Sequence, residues 1–465
     1  MTSQAIAAPS GCSQLVSERN QRLRWAFFSS LLTKPLAIVI PILIVPVFLK
    51  YLGTEGYGLF ETIVSLTGWL ALSNLGLAMG LMNTLTGCYV SHDRSFARRH
   101  VSTFFFASAV LMIFFGLALL GIIPFLNWNS LLRTAAPIPQ WELATAIGLA
   151  GALSLIAVFT GIVNPIYSAY QELTRFNFWD GAGKILTLAG CYAIAHTSFG
   201  MSGALLAFVG VPAIVRLANM ASLFGVEKPW LRPSMRLFDW TLLKPMAAQG
   251  FCFLILQMAG IISFQTDKLI INTNLGPTAV ADYAVVNRIF LTAYGVYMLF
   301  LTPIWPAYGE ALRRGDLVWI KRNLRLSLWF GCGAMALLGL FLLWQGEAVL
   351  RLWIGRQAGI NAGVVLGMTF TFAFKAWVDC RSVIFNAAGV VRQPIYFWTA
   401  QALLNLTLSV VLVRFAGVLG VVWAGSISAL LTTFWGYPLM MRKFLGRQAS
   451  PTGKRSIYQF KPEPL

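Results

Sequence analysis

The chain has 465 residues, 57% of them hydrophobic and only 11% charged, with a mean hydropathy of +0.71. Soluble domains average about 25% charged residues, so a water-soluble fold is excluded and an integral membrane protein is expected. The formal net charge of +19 does not point to nucleic acid, because the basic residues punctuate apolar segments at alternate ends, as the positive-inside rule describes.

The first two dozen residues are largely polar up to Trp25, with no short apolar core ahead of a cleavage site, and read as an inner-side tail rather than a signal peptide. Twelve apolar segments follow, at residues 26–49, 57–82, 101–124, 143–166, 176–197, 200–221, 247–272, 281–305, 326–345, 361–386, 395–414 and 418–441. Each is near the roughly 20 residues that cross a hydrocarbon core as helix. They are continuously apolar and lack the alternation of outer-membrane strands, so the expected fold is all-α and polytopic.

Twelve spans put both termini on one side. With that side inside, the inner segments carry Arg94, Arg98, Arg99, Arg175, Lys228, Arg232, Arg236, Arg313, Arg314, Lys321, Arg322, Arg325 and the basic tails, whereas the outer ones carry only Lys50, Arg133, Arg351, Arg356 and Arg414. Both termini are therefore expected to be cytoplasmic.

The linker from Ser222 to Met246, with Pro229, Pro233 and Pro245 among basic residues, is the one long shift in composition. It predicts two units, 1–225 and 226–465, each of six spans. An even number per half implies parallel repeats about an axis along the membrane normal. Two weak echoes support a duplication: Leu52-Gly53 recurs as Leu275-Gly276 (276 − 53 = 223), and Gly200-x-x-Gly203 recurs as Gly417-x-x-Gly420 (420 − 203 = 217).

No P-loop, GxSxG elbow or HExxH helix is present, and His92, His100 and His196 are isolated near helix ends. The six cysteines, Cys12, Cys88, Cys191, Cys252, Cys332 and Cys380, show no CxxC spacing, which supports neither a zinc site nor a disulfide framework. The chain is expected to be no enzyme and to use no metal or cofactor.

The informative residues are ionisable groups inside spans. A cation at the bilayer centre costs roughly 2.5–3.5 kcal/mol, so such groups must face protein, water or an interface. Arg216 and Arg381 lie near inner helix ends and are expected to snorkel. Asp180 with Lys184, and Lys375 with Asp379, are spaced i,i+4 and either neutralise each other or serve a ligand. Asp267 and Lys268 point about 100° apart, so each needs its own partner. Lys34 and Arg288 have no partner that the sequence names. Lys34, Lys184, Lys268, Arg288 and Lys375 are thus candidates for a positively charged substrate cavity, and Glu61, Asp180, Asp267 and Asp379 for coupling or charge pairing. Pro35, Pro41 and Pro46 in the first span, and Pro303 and Pro306 at the end of the eighth, favour kinks. Trp25, Trp128, Trp141, Trp179, Trp305, Trp353 and Trp398 read as interface anchors, with sugar stacking open for a few.

The stretch Pro46-Val-Phe-Leu-Lys-Tyr-Leu-Gly-Thr-Glu-Gly-Tyr-Gly-Leu-Phe60, followed by Gly68-Trp-Leu-Ala-Leu-Ser-Asn-Leu-Gly-Leu77, resembles the start of the bacterial polysaccharide transporters, the O-antigen and exopolysaccharide flippases. Asp267-Lys-Leu-Ile-Ile271, Leu275-Gly276 and Asp282-Tyr-Ala-Val-Val286 resemble that family's entry to its second half. The resemblance implies a V-shaped pair of six-helix bundles in the bacterial inner membrane. By alternating access they would move an undecaprenyl-pyrophosphate-linked oligosaccharide from the cytoplasmic to the periplasmic leaflet. Implied partners are that lipid-linked oligosaccharide, membrane lipids, a polysaccharide polymerase and a chain-length regulator, with no nucleic acid. Asn74 stands where many relatives carry Asp, so no ion-coupling role carries over to it. The competing readings are an ion-coupled multidrug exporter of the same superfamily and a membrane polysaccharide polymerase or ligase. The latter usually needs a large outer loop, and the longest outer connector here is Pro124 to Glu142.

Overall fold

The computed structural model describes residues 10–134, 138–355, 361–388, 390 and 392–449. The side chains of residues 10–28, Cys252, Pro303, Pro306, Arg392 and Arg447, and the whole of Arg356, Lys454, Arg455 and Lys461, lie outside the described set. Sixteen α-helices account for nearly all of the described chain: α1 (Ser10–Gly68), α2 (Leu77–Ser91), α3 (Arg94–Ile122), α4 (Trp128–Leu132), α5 (Gln140–Phe159), α6 (Val163–Ala169), α7 (Leu173–Ile194), α8 (Gly200–Leu205), α9 (Val211–Ser222), α10 (Trp240–Leu275), α11 (Pro277–Arg314), α12 (Leu317–Ile354), α13 (Ala362–Ala387), α14 (Arg392–Ala416), α15 (Val418–Leu431) and α16 (Thr433–Ala449).

Among the described residues, ten stretches are long and apolar enough to span a membrane. One of them, Leu32–Asn74, is two spans, because α1 breaks at Gly53. The helix α7 is a further span whose Asn177, Asp180 and Lys184 dilute its apolar character. The twelve expected spans are therefore present. They form two six-helix bundles, one built from α1 to α9 and one from α10 to α16.

The repeat read from sequence has a backbone signature. Gly53 sits at φ 72°, ψ 178° and Gly276 at φ 86°, ψ 174°, a region essentially closed to residues with a Cβ. Gly200 and Gly417 share φ values of 56° and 58°. A further pair lies at the same offset as the first: Asp93 caps α3 by accepting from Phe96 N at 2.9 Å, and Asp316 caps α12 by accepting from Trp319 N at 2.9 Å (316 − 93 = 223). Both halves thus turn the chain at matching places with matching chemistry.

The first span keeps helical dihedrals through Pro35, Pro41 and Pro46, and its only non-helical residue is Gly53. The sharper irregularity is in the second span. There the chain tightens to a 3₁₀ turn at Trp69–Asn74, followed by left-handed Leu75 and Gly76. Asn74 Oδ1 accepts from Gly76 N at 2.8 Å, so this residue holds the break.

The linker is fastened to the first bundle. Leu231 is fully buried; Ser234 N donates to Ser102 Oγ at 3.1 Å and Asp239 N to Thr103 Oγ1 at 3.2 Å. Glu227 pairs with Arg175 at 2.7 Å, Lys228 with Glu172 at 2.8 Å, and Arg99 with Asp239 at 2.6 Å. These residues lie beyond position 225, yet the partners are all on helices and turns of the first half.

Candidate functional site

Two helices, one from each bundle, run antiparallel along the seam: the second arm of α1 with α2, and α10. Small residues let them approach. A Cβ on Gly80 would lie 2.6 Å from the Met246 carbonyl oxygen, and one on Gly76 would lie 2.2 Å from that of Gly250. The 3₁₀ turn frees carbonyls that the seam then satisfies, since Gln257 Nε2 donates to Ala71 O at 3.0 Å. Ser65 Oγ likewise donates to Gln265 O.

At the Gly53 and Gly276 end of this seam lies a charged cluster. Glu61, with a side chain only 3% exposed, accepts from Arg288 Nη2 at 3.0 Å through Oε1 and pairs with Lys268 through Oε2. One turn earlier on the same helix, Tyr57 donates to Glu61 Oε1 at 2.8 Å. Glu61 belongs to the first bundle, whereas Lys268 on α10 and Arg288 on α11 belong to the second. The cluster is an ionic bridge between bundles, and it carries one cation more than its carboxylate offsets.

This sorts the expected cavity cations. Lys268 and Arg288 come together, held by the one carboxylate that neither residue type nor spacing assigned to them. Lys184 pairs with Asp180 on α7, and Lys375 lies 3.6 Å from Asp379 on α13, so the i,i+4 neutralisation is realised in both. The Lys375 ammonium also sits 4.8 Å from the Tyr294 ring and 5.5 Å from that of Trp398. Lys34 is exposed on the first arm of α1, where the neighbouring Thr33 packs against Gly181 of α7. Asp267 turns away from Lys268 and accepts from Tyr283 at 3.1 Å, so the adjacent pair does find separate partners.

One expectation fails. Arg381 does not snorkel: it is buried at 6% exposure, stacked 3.8 Å from the Trp377 ring and donating to Trp377 O at 2.6 Å. Its helix enters protein at that depth, so the flat guanidinium stacks on an aromatic face instead of reaching water. Arg216 is exposed, and its guanidinium donates to Ala157 O at 3.4 Å. Among the described residues no cluster of three metal-ligating side chains occurs.

Sequence reasoning missed Tyr57, Tyr283 and Tyr294. The i,i+4 spacing of Tyr57 and Glu61 could have flagged the first. Tyr283 to Asp267 and Tyr294 to Asp379 join different helices and left no local signal.

The chain is a two-bundle, twelve-span membrane protein with a charged seam between the bundles. No protein-family model matches the chain. It is 22% identical over 418 residues to a protein of Salmonella typhi provisionally named O-antigen transporter, covering 88% of this chain and 94% of that one. It is 22% identical over 424 residues to a Yersinia pseudotuberculosis protein provisionally named O-antigen export protein, covering 87% and 92%. Among solved structures it is similar to an inward-facing multidrug resistance MATE family transporter of the MOP superfamily, with a TM-score of 0.73, 16% identity and coverage of 89% and 96%. It is also similar to the lipid II flippase MurJ in an inward closed conformation, with a TM-score of 0.65, 12% identity and coverage of 93% and 91%. The chain thus shares the fold of these two solved structures, and the curated relatives it matches carry transporter and export names, in line with the resemblance in its sequence.

Proposed function

We propose that this protein is a flippase that carries an undecaprenyl-pyrophosphate-linked oligosaccharide from the cytoplasmic to the periplasmic leaflet by alternating access, for surface polysaccharide biosynthesis. The observation that carries the reading is the Glu61–Lys268–Arg288 cluster with its surplus cation. A diphosphate is the anion suited to a guanidinium and an ammonium held side by side. Its arrival gives Lys268 and Arg288 a counter-ion other than Glu61, which frees the two bundles from each other at that end. The O-antigen names of the curated relatives and the flippase among the fold neighbours support the same cargo class.

In this reading both termini and the linker are cytoplasmic, following the Arg and Lys distribution, and the membrane is the bacterial inner membrane. An inside-negative potential then favours outward movement of the anionic cargo by roughly 2.3 kcal/mol per charge per 100 mV. Lys34, exposed on the first arm of α1, serves as an early contact for the incoming headgroup. The moving units are residues up to Asp239 and from Trp240 onward, because the linker is bonded to the first bundle. A polymerase and a chain-length regulator act on the delivered oligosaccharide.

The test is complementation of a deletion strain with Lys268→Gln, Arg288→Gln and Lys34→Gln variants whose membrane abundance is verified. Expected are loss of surface glycan and lipid-linked oligosaccharide retained on the cytoplasmic leaflet, most strongly for Lys268 and Arg288. Normal surface glycan in all three would overturn the assignment.

A further inference from the structure

Lys268 and Asp267 are neighbours on α10 and leave it in different directions. Lys268 crosses the seam to Glu61, while Asp267 faces a cavity inside the second bundle. The cavity is walled by α10, α11, α13, α14 and α15.

Its lining combines three kinds of group. Trp398 and Phe372 supply aromatic faces. Gln401 and Asn405 supply amides, with oxygens already engaged: Thr433 Oγ1 donates to Gln401 Oε1 at 2.9 Å, and Ser409 Oγ to Asn405 Oδ1 at 3.4 Å. Each amide therefore keeps its N–H donors for the cavity. Asp267 supplies an acceptor, because its Oδ1 is buried with no hydrogen-bond partner among the described residues. A buried acceptor left unmatched costs about 1–3 kcal/mol, more when charged, so it marks a place where a ligand donor is awaited.

We propose that this cavity is a sugar subsite. It receives an uncharged, hydroxyl-rich sugar residue stacked on Trp398, with hydroxyls accepting from Gln401 and Asn405 and donating to Asp267 Oδ1. This deepens the flippase reading and rests on it. A sugar ring presents an apolar C–H face beside hydroxyls that both donate and accept, which matches aromatic, amide and carboxylate in one pocket. Charge selects the class. Asp267 and Asp379 outnumber Lys375, whose ammonium is already taken up by Asp379, Tyr294 and Trp398. An acidic sugar would find the ammonium in this lining already engaged by Asp379. A wholly apolar ligand would leave Asp267 and both amides unmatched.

The experiment uses the full chain in nanodiscs, titrated with methyl glucoside, methyl galactoside and methyl N-acetylglucosaminide, and separately with glucuronate, while tryptophan fluorescence is read. Expected is a saturable change with at least one neutral glycoside, absent in Trp398→Phe, and an affinity reduced about tenfold in Gln401→Leu through the lost hydrogen bond. Glucuronate should bind more weakly than methyl glucoside. An undiminished signal in Trp398→Phe, no saturation with any neutral glycoside, or tighter binding of glucuronate would each overturn the subsite. Sugar-free undecaprenyl diphosphate, titrated in the same nanodiscs, separates the two readings. Diphosphate binding that needs Lys268 and Arg288, without any neutral-glycoside signal, would remove the subsite and leave the flippase reading standing. If diphosphate fails to bind the wild-type protein, the flippase reading itself falls.

Discussion

Glu61 is the residue on which most of the seam's charge depends. Its two oxygens are shared among Lys268, Arg288 and Tyr57 in a largely buried setting. Removing one partner of such a group leaves the others uncompensated, a loss of about 3–5 kcal/mol. Glu61→Gln should therefore lower the melting temperature of the detergent-purified protein clearly. Adding Lys268→Met should restore part of the loss, because one orphaned cation is then gone. Additive effects of the two changes would contradict a shared ionic bridge. Outside the membrane, Asp239 is held below the usual carboxylate range by the Thr241 hydroxyl and backbone N–H, with Arg99 adding to the effect. A folded value below the ordinary 3.8 means that its contribution is complete above that pH and is lost only as pH falls through the lower folded value. Asp239→Asn should thus loosen the first turn of α10, seen as faster amide exchange, equally at pH 5 and pH 8.

At the scale of elements, the two hairpin turns depend on backbone freedom rather than contacts. A Cβ on Gly53 would meet nothing within 4 Å, yet its φ of 72° with ψ 178° is one that only glycine holds without strain. Gly53→Ala should cost about 1–3 kcal/mol, and Gly276→Ala a similar amount. The check is thermal unfolding of each variant, with Gly87→Ala, also in open space but helical, as a control that should not destabilise. The echo at residues 53 and 276 was legible in sequence because strained turns need glycine. The break in the second span was not: nothing in Trp-Leu-Ala-Leu-Ser-Asn announces a 3₁₀ turn, and its freed Ala71 carbonyl is satisfied by Gln257 from the other bundle. That is a partner 186 residues away, chosen only once the two halves meet.

For the whole molecule, the proposed alternating access requires the seam to part. A Cβ on Gly68 would lie 3.1 Å from Gln265 Cγ, the position a cysteine sulfur takes at residue 265. That spacing is near the Cβ-to-sulfur distance across a disulfide, about 3 Å from an S–S bond near 2.05 Å and ordinary bond angles. In a background free of native cysteines, oxidised Gly68→Cys/Gln265→Cys protein should form the cross-link and lose transport, with recovery on reduction. Full transport by the cross-linked protein would show that this seam does not open. The two bundles, the twelve spans and their short connectors are all written locally, in runs of apolar residues long enough to cross the membrane.

Hydrophobic length, charge punctuation and turn glycines are properties of short stretches, so an all-α membrane protein of duplicated halves could be read from the chain alone. The sequence also marked the ionisable residues whose presence inside spans demanded an account. What each of them contacts followed from how the helices pack. That packing joined Lys268 and Arg288 to Glu61 across the seam, left Lys184 and Lys375 neutralised on their own helices, buried Arg381 on Trp377, and turned Asp267 toward an amide-lined cavity. Those outcomes depend on which helix faces meet, and a charge in a low-dielectric interior takes its meaning from neighbours that are remote in the chain.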